Sequence, residues 1–388
     1  MTYSIKNKAV IAGMGTTEFS KNSGRSEMQL AVEAITAALD DAGIDPADMD
    51  GLCTYTLDNN SEIEVLRNIG APELTYFTRI SFGGGGACAP IMQAAMAVAT
   101  GAAKNVVCYR AMNERSGQRF GQPGTYSLPL SEIVLNDFHI MHGIMVAASM
   151  MAIPMRRYMH ETGATSEDFA NYSIAARKHA ATNPNAFFYK KPITREDYME
   201  SRMISDPFRL LDCCQESDGA VAFVITSADR AKDLKQKPVY VRAAAQGAPS
   251  GALLCYSYYK QDIIPREECE IVSRQLYRDA GIGPEDIQTA IIYDHFGPTV
   301  LPSLEGYGFC KPGEAKDFIK DGNIEIGGGL PINTNGGQLG EAYIHGMNGI
   351  AEAVRQIRGT AVNQVKDVEN ILATAGTGLP TSGVILGA

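Results

Sequence analysis

The feature that most constrains the fold of this chain is an internal duplication. Residues 41–55 read DAGIDPADMDGLCTY and residues 279–293 read DAGIGPEDIQTAIIY, 238 residues apart. Each copy follows an amphipathic helical pattern and precedes an apolar strand pattern. Each is later followed by a glycine-rich turn, a helix that stops at a glycine (Gly101 and Gly359) and a further strand, KNVVCYRA or VENILATAG. Self-similarity on this scale points to a duplicated α/β unit rather than a solenoid. Two such units are expected to pack about a pseudo-twofold axis. The helices behind the glycine-rich turns then meet in the centre, and the loops at the strand ends converge on one site.

The stretches between the repeats fit this plan. KAVIAG, residues 8–13, reads as a buried strand. The GMGTTEF that follows has Glu18 where a dinucleotide fingerprint needs its third glycine, so no nucleotide fold is expected there. Ser26 and Gln29 form a capping-box pattern before a helix carrying Met28, Val32, Ile35 and Leu39, and Gly43 is its natural stop. The helix behind SFGGGGACAP is apolar nearly all round and is expected to be buried on every side. Residues 113–128 form a polar loop with Arg115 and Arg119. Residues 139–160 are rich in methionine, read as core, with a soft wall for a bulky apolar ligand as the alternative. His139 and His142 lie three apart without a carboxylate nearby and are read as structural rather than metal-binding. The chain divides into halves at 1–230 and 231–388, with a helical excursion at about 113–205 in the first and TSADRAKDLKQKP as the junction.

Composition narrows the function. A net charge of −10 and a pI near 5.2 argue against nucleic acid or an anionic membrane as the main partner. No apolar run is long enough to span a bilayer, and MTYSIKNKAVIAGMG lacks the apolar core of a secretory leader. Eight cysteines occur without any C-x-x-C pair, mostly in apolar runs, so free thiols in a reducing cytoplasm are expected.

Two segments of the second half hold the groups that carry chemistry. NTNGGQLGEAYIHGMNGIAEAVRQIR, residues 333–358, starts as a glycine-rich turn and carries Tyr343 and His345. It ends in a helix with Met347, Ile350, Ala351, Val354 and Ile357 on one face. Unpaired N–H groups at such a turn suit a developing oxyanion. IIYDHFGP places Tyr293, Asp294 and His295 straight after a buried strand. A phenol with a pKa near 10 is a general acid at neutral pH, and becomes a base only beside a cation or hydrogen-bond donor. His295 and His345 are the neighbours that supply this. No activated serine or cysteine follows from spacing, although Cys88 lies in the first glycine-rich turn.

Over essentially its whole length the chain resembles the thiolase superfamily, and this implies an αβαβα layered fold of two related halves. Where that superfamily has its nucleophilic cysteine, GGGGACAP offers a glycine among Gly84 to Gly86, with Cys88 past it. YDHF stands for the Asn/His-containing motif with Tyr293 in place, AYI stands for G-H-P with Tyr343 at the histidine, and LATAGTG has Gly376 where the late cysteine would be. The Cys–His–Cys machinery is absent. GTTEFSKNSGRSEMQLAVEAITAALDDAG, CYRAMNERSGQRFG, YDHFGP and GGQLGEAYIHGMNG are instead similar to the lipid-transfer-protein-type aldolases of bacterial steroid side-chain degradation.

That resemblance implies retro-aldol cleavage of a steroid side-chain β-hydroxyacyl-CoA to a ketosteroid and a short acyl-CoA such as propionyl-CoA. It implies Tyr293 and Tyr343 as acid and base in either order, tuned by His295 and His345. Backbone donors are expected around Gly336, Gly337, Gly376 and Gly378, and substrate contacts at Asp294, Asn335, Arg115 and Arg119. No cofactor beyond the CoA of the substrate and no metal is implied. The implied partner is a small OB-fold protein of an acyl-CoA hydratase complex, joined to a homodimer core as a 2:2 heterotetramer. Two other functions compete: a non-catalytic thiolase-like subunit that binds acyl-CoA or lipid, and a residual acyltransferase using Cys88.

Overall fold

The computed structural model describes residues 4–122, 139–253, 260–378 and 380–388. In chain order the elements that position the site are β1 (Ala9–Thr16), α1 (Glu27–Ala42), β2 (Gly51–Tyr55), α2 (Glu62–Ile69), β3 (Tyr76–Ile80), α3 (Ala89–Thr100) and β4 (Asn105–Asn113). An excursion follows with α4 (Ala147–Thr162), α5 (Ser166–Thr182), α6 (Arg195–Glu200) and a hairpin of β5 (Met203–Ser205) and β6 (Phe208–Arg209). The chain continues through β7 (Asp218–Ser227), β8 (Val239–Gly247), α7 (Glu267–Ala280), β9 (Thr289–Ile291), α8 (Val300–Gly306), α9 (Gly337–Gly340), α10 (Met347–Arg358), β10 (Asn370–Thr374) and β11 (Thr381–Gly387).

Nine strands hydrogen-bond in the order β3-β2-β4-β7-β1-β8-β11-β10-β9. Reading outward from the β1–β8 junction, β7, β4 and β2 on one side match β11, β10 and β9 on the other. The duplication in sequence is therefore a duplication in topology. Val10↔Tyr240 and Ile11↔Val239 join the two sides antiparallel, and the Asn7 N–H donates to the Val241 carbonyl at 3.0 Å beside them. Beyond β9, where β3 sits in the first half, Ile332 makes a single parallel bridge to Ala290.

Alternation along the strands sorts side chains to opposite faces. Val10, Ala12, Leu52, Val107 and Val224 pack under α1, whereas Ile11, Cys53, Val106 and Phe223 face α3 and α10. Both of these helices touch strands of each half, so they form the middle of five layers. α7 and α8 close the outer face of the second half with Leu372, Ile385 and Ala243.

Local expectations hold with four differences. The N-cap Ser26 accepts from the Gln29 N–H, but the Gln29 side chain turns to Glu33 instead of completing the box. The buried stripe of α1 runs through Leu30, Ala31, Ala34, Ile35 and Ala38, leaving Met28 and Val32 on its rim. α3 is not buried on every side: Met96 is 37% exposed and Met92 and Gln93 are half-buried. That outward edge lies beside β3, the free edge of the sheet, where Phe77 is 63% exposed. The methionine-rich stretch divides as well. Met150, Met151 and Met155 are core, whereas Met141 and Met145 are exposed. Residues 123–128 of the polar loop and Cys255 lie outside the described residues.

Candidate active site

Tyr293 follows β9 by two residues, and its N–H donates to Thr374 Oγ1 at 2.9 Å, which ties it to the end of β10. Its ring passes between three glycines from three different turns. A Cβ on Gly84 would lie 2.2 Å from the Tyr293 hydroxyl oxygen, one on Gly346 2.8 Å from Cε2, and one on Gly376 3.2 Å from Cε1. Real Cβ contacts do not come so near at the first two positions, so glycine there makes room for the ring. Tyr343 precedes α10, and its N–H donates to Ser217 Oγ at 3.1 Å. The two hydroxyls share a hydrogen bond of 3.1 Å, with the rings edge to face at 78° and centroids 6.4 Å apart. Burial pushes both phenols well above the ordinary tyrosine value, so both keep their protons at neutral pH.

The two histidines flank this pair. The His295 ring lies 5.3 Å from the Tyr293 ring and His345 lies 5.6 Å from the Tyr343 ring. Desolvation pulls His295 down to about 3. His345 is also held low, first by desolvation and then by Arg110 and His295. Both imidazoles are therefore neutral. On each ring Nδ1 is buried without a partner. A bare lone pair is cheaper to bury than an unbonded N–H, so the proton belongs on Nε2. His345 Nε2 faces the glycine-rich turn, 3.5 Å from where a Cβ on Gly83 would lie. The His345 backbone is pinned by Tyr55, whose hydroxyl donates to the His345 carbonyl at 2.7 Å.

The remaining expected residues have other partners. The Gly336 N–H donates to the Asn333 carbonyl at 2.8 Å and the Gly337 N–H to Asn335 Oδ1 at 3.1 Å. The Gly376 N–H donates to the Gly84 carbonyl at 3.0 Å and the Gly378 N–H to Glu268 Oε1 at 2.7 Å. All four N–H groups are bonded within or between the turns in this structure. Asp294 is buried, and its carboxylate accepts from the Gln338 N–H at 2.8 Å and from the Tyr172 hydroxyl at 2.7 Å. It caps α9 and does not face the phenols. Asn335 binds Glu341 at 2.5 Å inside the same loop. Arg119 pairs with Glu216 at 2.6 Å, and Arg115 is exposed. Neither arginine joins the two tyrosines.

Three residues that sequence reasoning passed over matter here. Ser217 and Tyr55 set the backbones of Tyr343 and His345, and nothing in a strand-end serine or a core tyrosine announces this. Glu114 is buried, and burial and then Glu216 push its carboxyl well up; its charge would raise both phenols further. Cys88 is fully buried, bonds the Ala373 carbonyl through Sγ at 3.5 Å, and its thiol is pushed up by desolvation alone. Such a thiol is a small hydrophobe and not a nucleophile. Among the described residues no group of three or more His, Cys, Asp or Glu is placed to hold a metal ion, and no helix is long and apolar enough to cross a membrane.

Comparison with known proteins identifies the family. Residues 9–229 match the thiolase N-terminal domain and residues 256–387 the thiolase C-terminal domain-like family. The chain is 59% identical to the 17-hydroxy-3-oxo-4-pregnene-20-carboxyl-CoA lyase of Mycobacterium tuberculosis, over 99% of this chain and 100% of that one. It is 58% identical to a steroid side-chain-cleaving aldolase of Thermomonospora curvata, over 98% of both chains. A solved Ltp2-ChsH2(DUF35) aldolase superposes with a TM-score of 0.95 at 56% identity, over 100% of this chain and 99% of that one.

Proposed function

This chain belongs to the thiolase superfamily, among its steroid side-chain-cleaving aldolases, and is a carbon–carbon lyase; we propose that it cleaves a steroid side-chain β-hydroxyacyl-CoA through the Tyr293–Tyr343 pair. The observation that carries this reading is the 3.1 Å contact between two protonated phenols flanked by two neutral imidazoles. The products are a ketosteroid and a short acyl-CoA, propionyl-CoA where the side chain is a 20-carboxyl thioester.

The protons balance without an outside donor. The carbon–carbon bond breaks as the tertiary hydroxyl becomes a ketone, and its proton leaves to one phenol. The electron pair of that bond becomes a thioester enolate. The other phenol protonates the enolate carbon, and the shared hydrogen bond restores the pair. Because both phenols are held protonated, the transfers run together and no standing phenolate is needed. Enolate charge requires donors fixed before the reaction. Nε2–H of His295 and of His345 supply them, in place of the glycine N–H groups. CoA enters as part of the substrate and no added cofactor takes part.

The solved relative is an Ltp2-ChsH2(DUF35) aldolase, and we extend a partner of the DUF35 kind, a small OB-fold protein, to this chain. The uncovered β3 edge with Phe77, next to Met96, supports a homodimer core and with it a 2:2 assembly. The test is mass spectrometry of products from a 17-hydroxy steroid 20-carboxyl-CoA thioester in heavy water. A 17-ketosteroid and propionyl-CoA with one deuterium on its α-carbon are expected. Intact thioester, with binding but no turnover, would favour the non-catalytic subunit instead.

A further inference from the structure

The surface carries a basic and aromatic patch that the proposed chemistry does not use. Behind α5 the chain runs AFFYKK, residues 186–191, with Phe187, Tyr189, Lys190 and Lys191 exposed. Lys190 turns through a left-handed φ of 58° and is held there by its N–H on the Ala181 carbonyl at 2.9 Å. Lys21 lies 4.5 Å above the Phe187 ring and Lys190 5.0 Å above the Tyr189 ring. Arg177, almost fully buried, stacks 3.5 Å over Phe188. Among the described residues no carboxylate forms an ion pair with Arg177, Lys190 or Lys191. Lys178, next to Arg177 on α5, is by contrast paired with Glu325.

The patch is joined to the site. The Phe187 N–H donates to the Glu341 carbonyl at 3.0 Å and the Phe188 N–H to the Gly340 carbonyl at 3.3 Å, two and three residues before Tyr343. Lys21 Nζ donates to Gln215 Oε1 and to the Glu216 carbonyl, both at 2.6 Å, beside the Ser217 that holds the Tyr343 backbone. A chain of net charge −10 repels a polyanion unless cations are gathered where it docks. Three cations without counter-ions, interleaved with ring faces, match a ligand that is at once polyphosphorylated and flat.

We propose that Lys190 and Lys191, with Tyr189 as stacking surface and Arg177 beneath them bonding the Lys191 carbonyl at 3.4 Å, bind the phosphorylated adenosine end of the acyl-CoA. This rests on the aldolase reading for its substrate class. The nucleotide then stays outside at the patch, which backbone bonds to residues 340 and 341 tie to the segment carrying Tyr343.

The experiment is charge reversal at both lysines, Lys190→Glu with Lys191→Glu, and separately Tyr189→Ala, each made in the complex with its partner. KM and kcat are read for the CoA thioester and for the same acyl group on N-acetylcysteamine, which lacks the nucleotide. Reversal is expected to raise KM for the CoA thioester about tenfold or more, leave kcat within about twofold, and leave the truncated thioester unaffected. Tyr189→Ala is expected to raise the same KM a few-fold. Calorimetric titration with CoA and with pantetheine reads the patch without turnover: reversal should weaken CoA and not pantetheine. An unchanged CoA affinity overturns the proposal. So does an equal loss for both thioesters, or loss of the partner from the complex, since these assign the patch to structure or to protein docking. If the wild type binds CoA through the patch but cleaves neither thioester, the aldolase reading falls and the subsite stands.

Discussion

The hydroxyl oxygen of Tyr293 occupies the space into which a side chain on residue 84 would grow, 2.2 Å from a Cβ built on Gly84. A phenol from the second half thus fills the mouth of the first half's glycine-rich turn. The turn where the resemblance implies a nucleophilic cysteine in the wider superfamily is here filled by that phenol.

Gly84→Ala is therefore predicted to displace the phenol or strain the turn. Its methyl has no room, and overpacking of this kind costs about 1–3 kcal/mol. The expected outcome is a folded protein with a lower melting temperature and kcat reduced at least about tenfold, read by calorimetry and steady-state kinetics. Wild-type kcat in this variant would mean that the Tyr293 hydroxyl is not where the reaction occurs.

Cys88→Ala is predicted to keep kcat within about twofold. The thiol is fully buried and desolvated, so it supplies packing and not a thiolate. A stability loss of about 1 kcal/mol for a vacated buried atom is expected in denaturant unfolding. Loss of activity without loss of fold would revive the acyltransferase reading.

The pH–rate profile for kcat should lack an imidazole limb. His295 titrates near 3 and His345 is also held low, while both phenols are raised above 10. Between these limits neither pair changes charge, so kcat should vary by no more than about threefold from pH 6.5 to pH 9. A limb with an apparent pKa near 6.5, abolished by substituting either histidine, would contradict neutral donors.

Much of this was legible in the sequence, and the reasons differ by element. The repeat at residues 41–55 and 279–293 announced the pseudo-twofold because topology was copied with it. Tyr293 and Tyr343 stood out because each follows an apolar strand or a glycine turn. The role of Gly336, Gly337, Gly376 and Gly378 is harder to read because a glycine-rich turn has two uses. Here it admits a neighbouring ring or backbone, and its N–H groups close the turn itself. Asp294 and Asn335 are ambiguous for a related reason: short polar side chains at a turn bond backbone as readily as ligand. The outward edge of α3 was invisible because a helix against a sheet edge has the same composition as one sealed inside.

Stability should carry the mark of Glu341, two residues before Tyr343. Desolvation raises its carboxyl to about 7 despite Arg355 at 3.6 Å. A carboxyl whose folded pKa exceeds its unfolded one stabilises below the unfolded value, near 4, and loses that contribution as pH rises to the folded one. The advantage of wild type over Glu341→Gln should therefore be largest near pH 4 and shrink by about 2–3 kcal/mol by pH 7 in denaturant unfolding. A difference that grows with pH would mean the carboxylate is the favoured form.

The most direct measurement is single-turnover cleavage by Tyr293→Phe and Tyr343→Phe, each checked for an intact fold by circular dichroism and for thioester binding. Both hydroxyls take part in one proton relay, so each variant should bind substrate and lose about a hundredfold or more in the cleavage rate, with the double variant little worse than the slower single. Cleavage at near wild-type rates by both folded single variants would contradict the account.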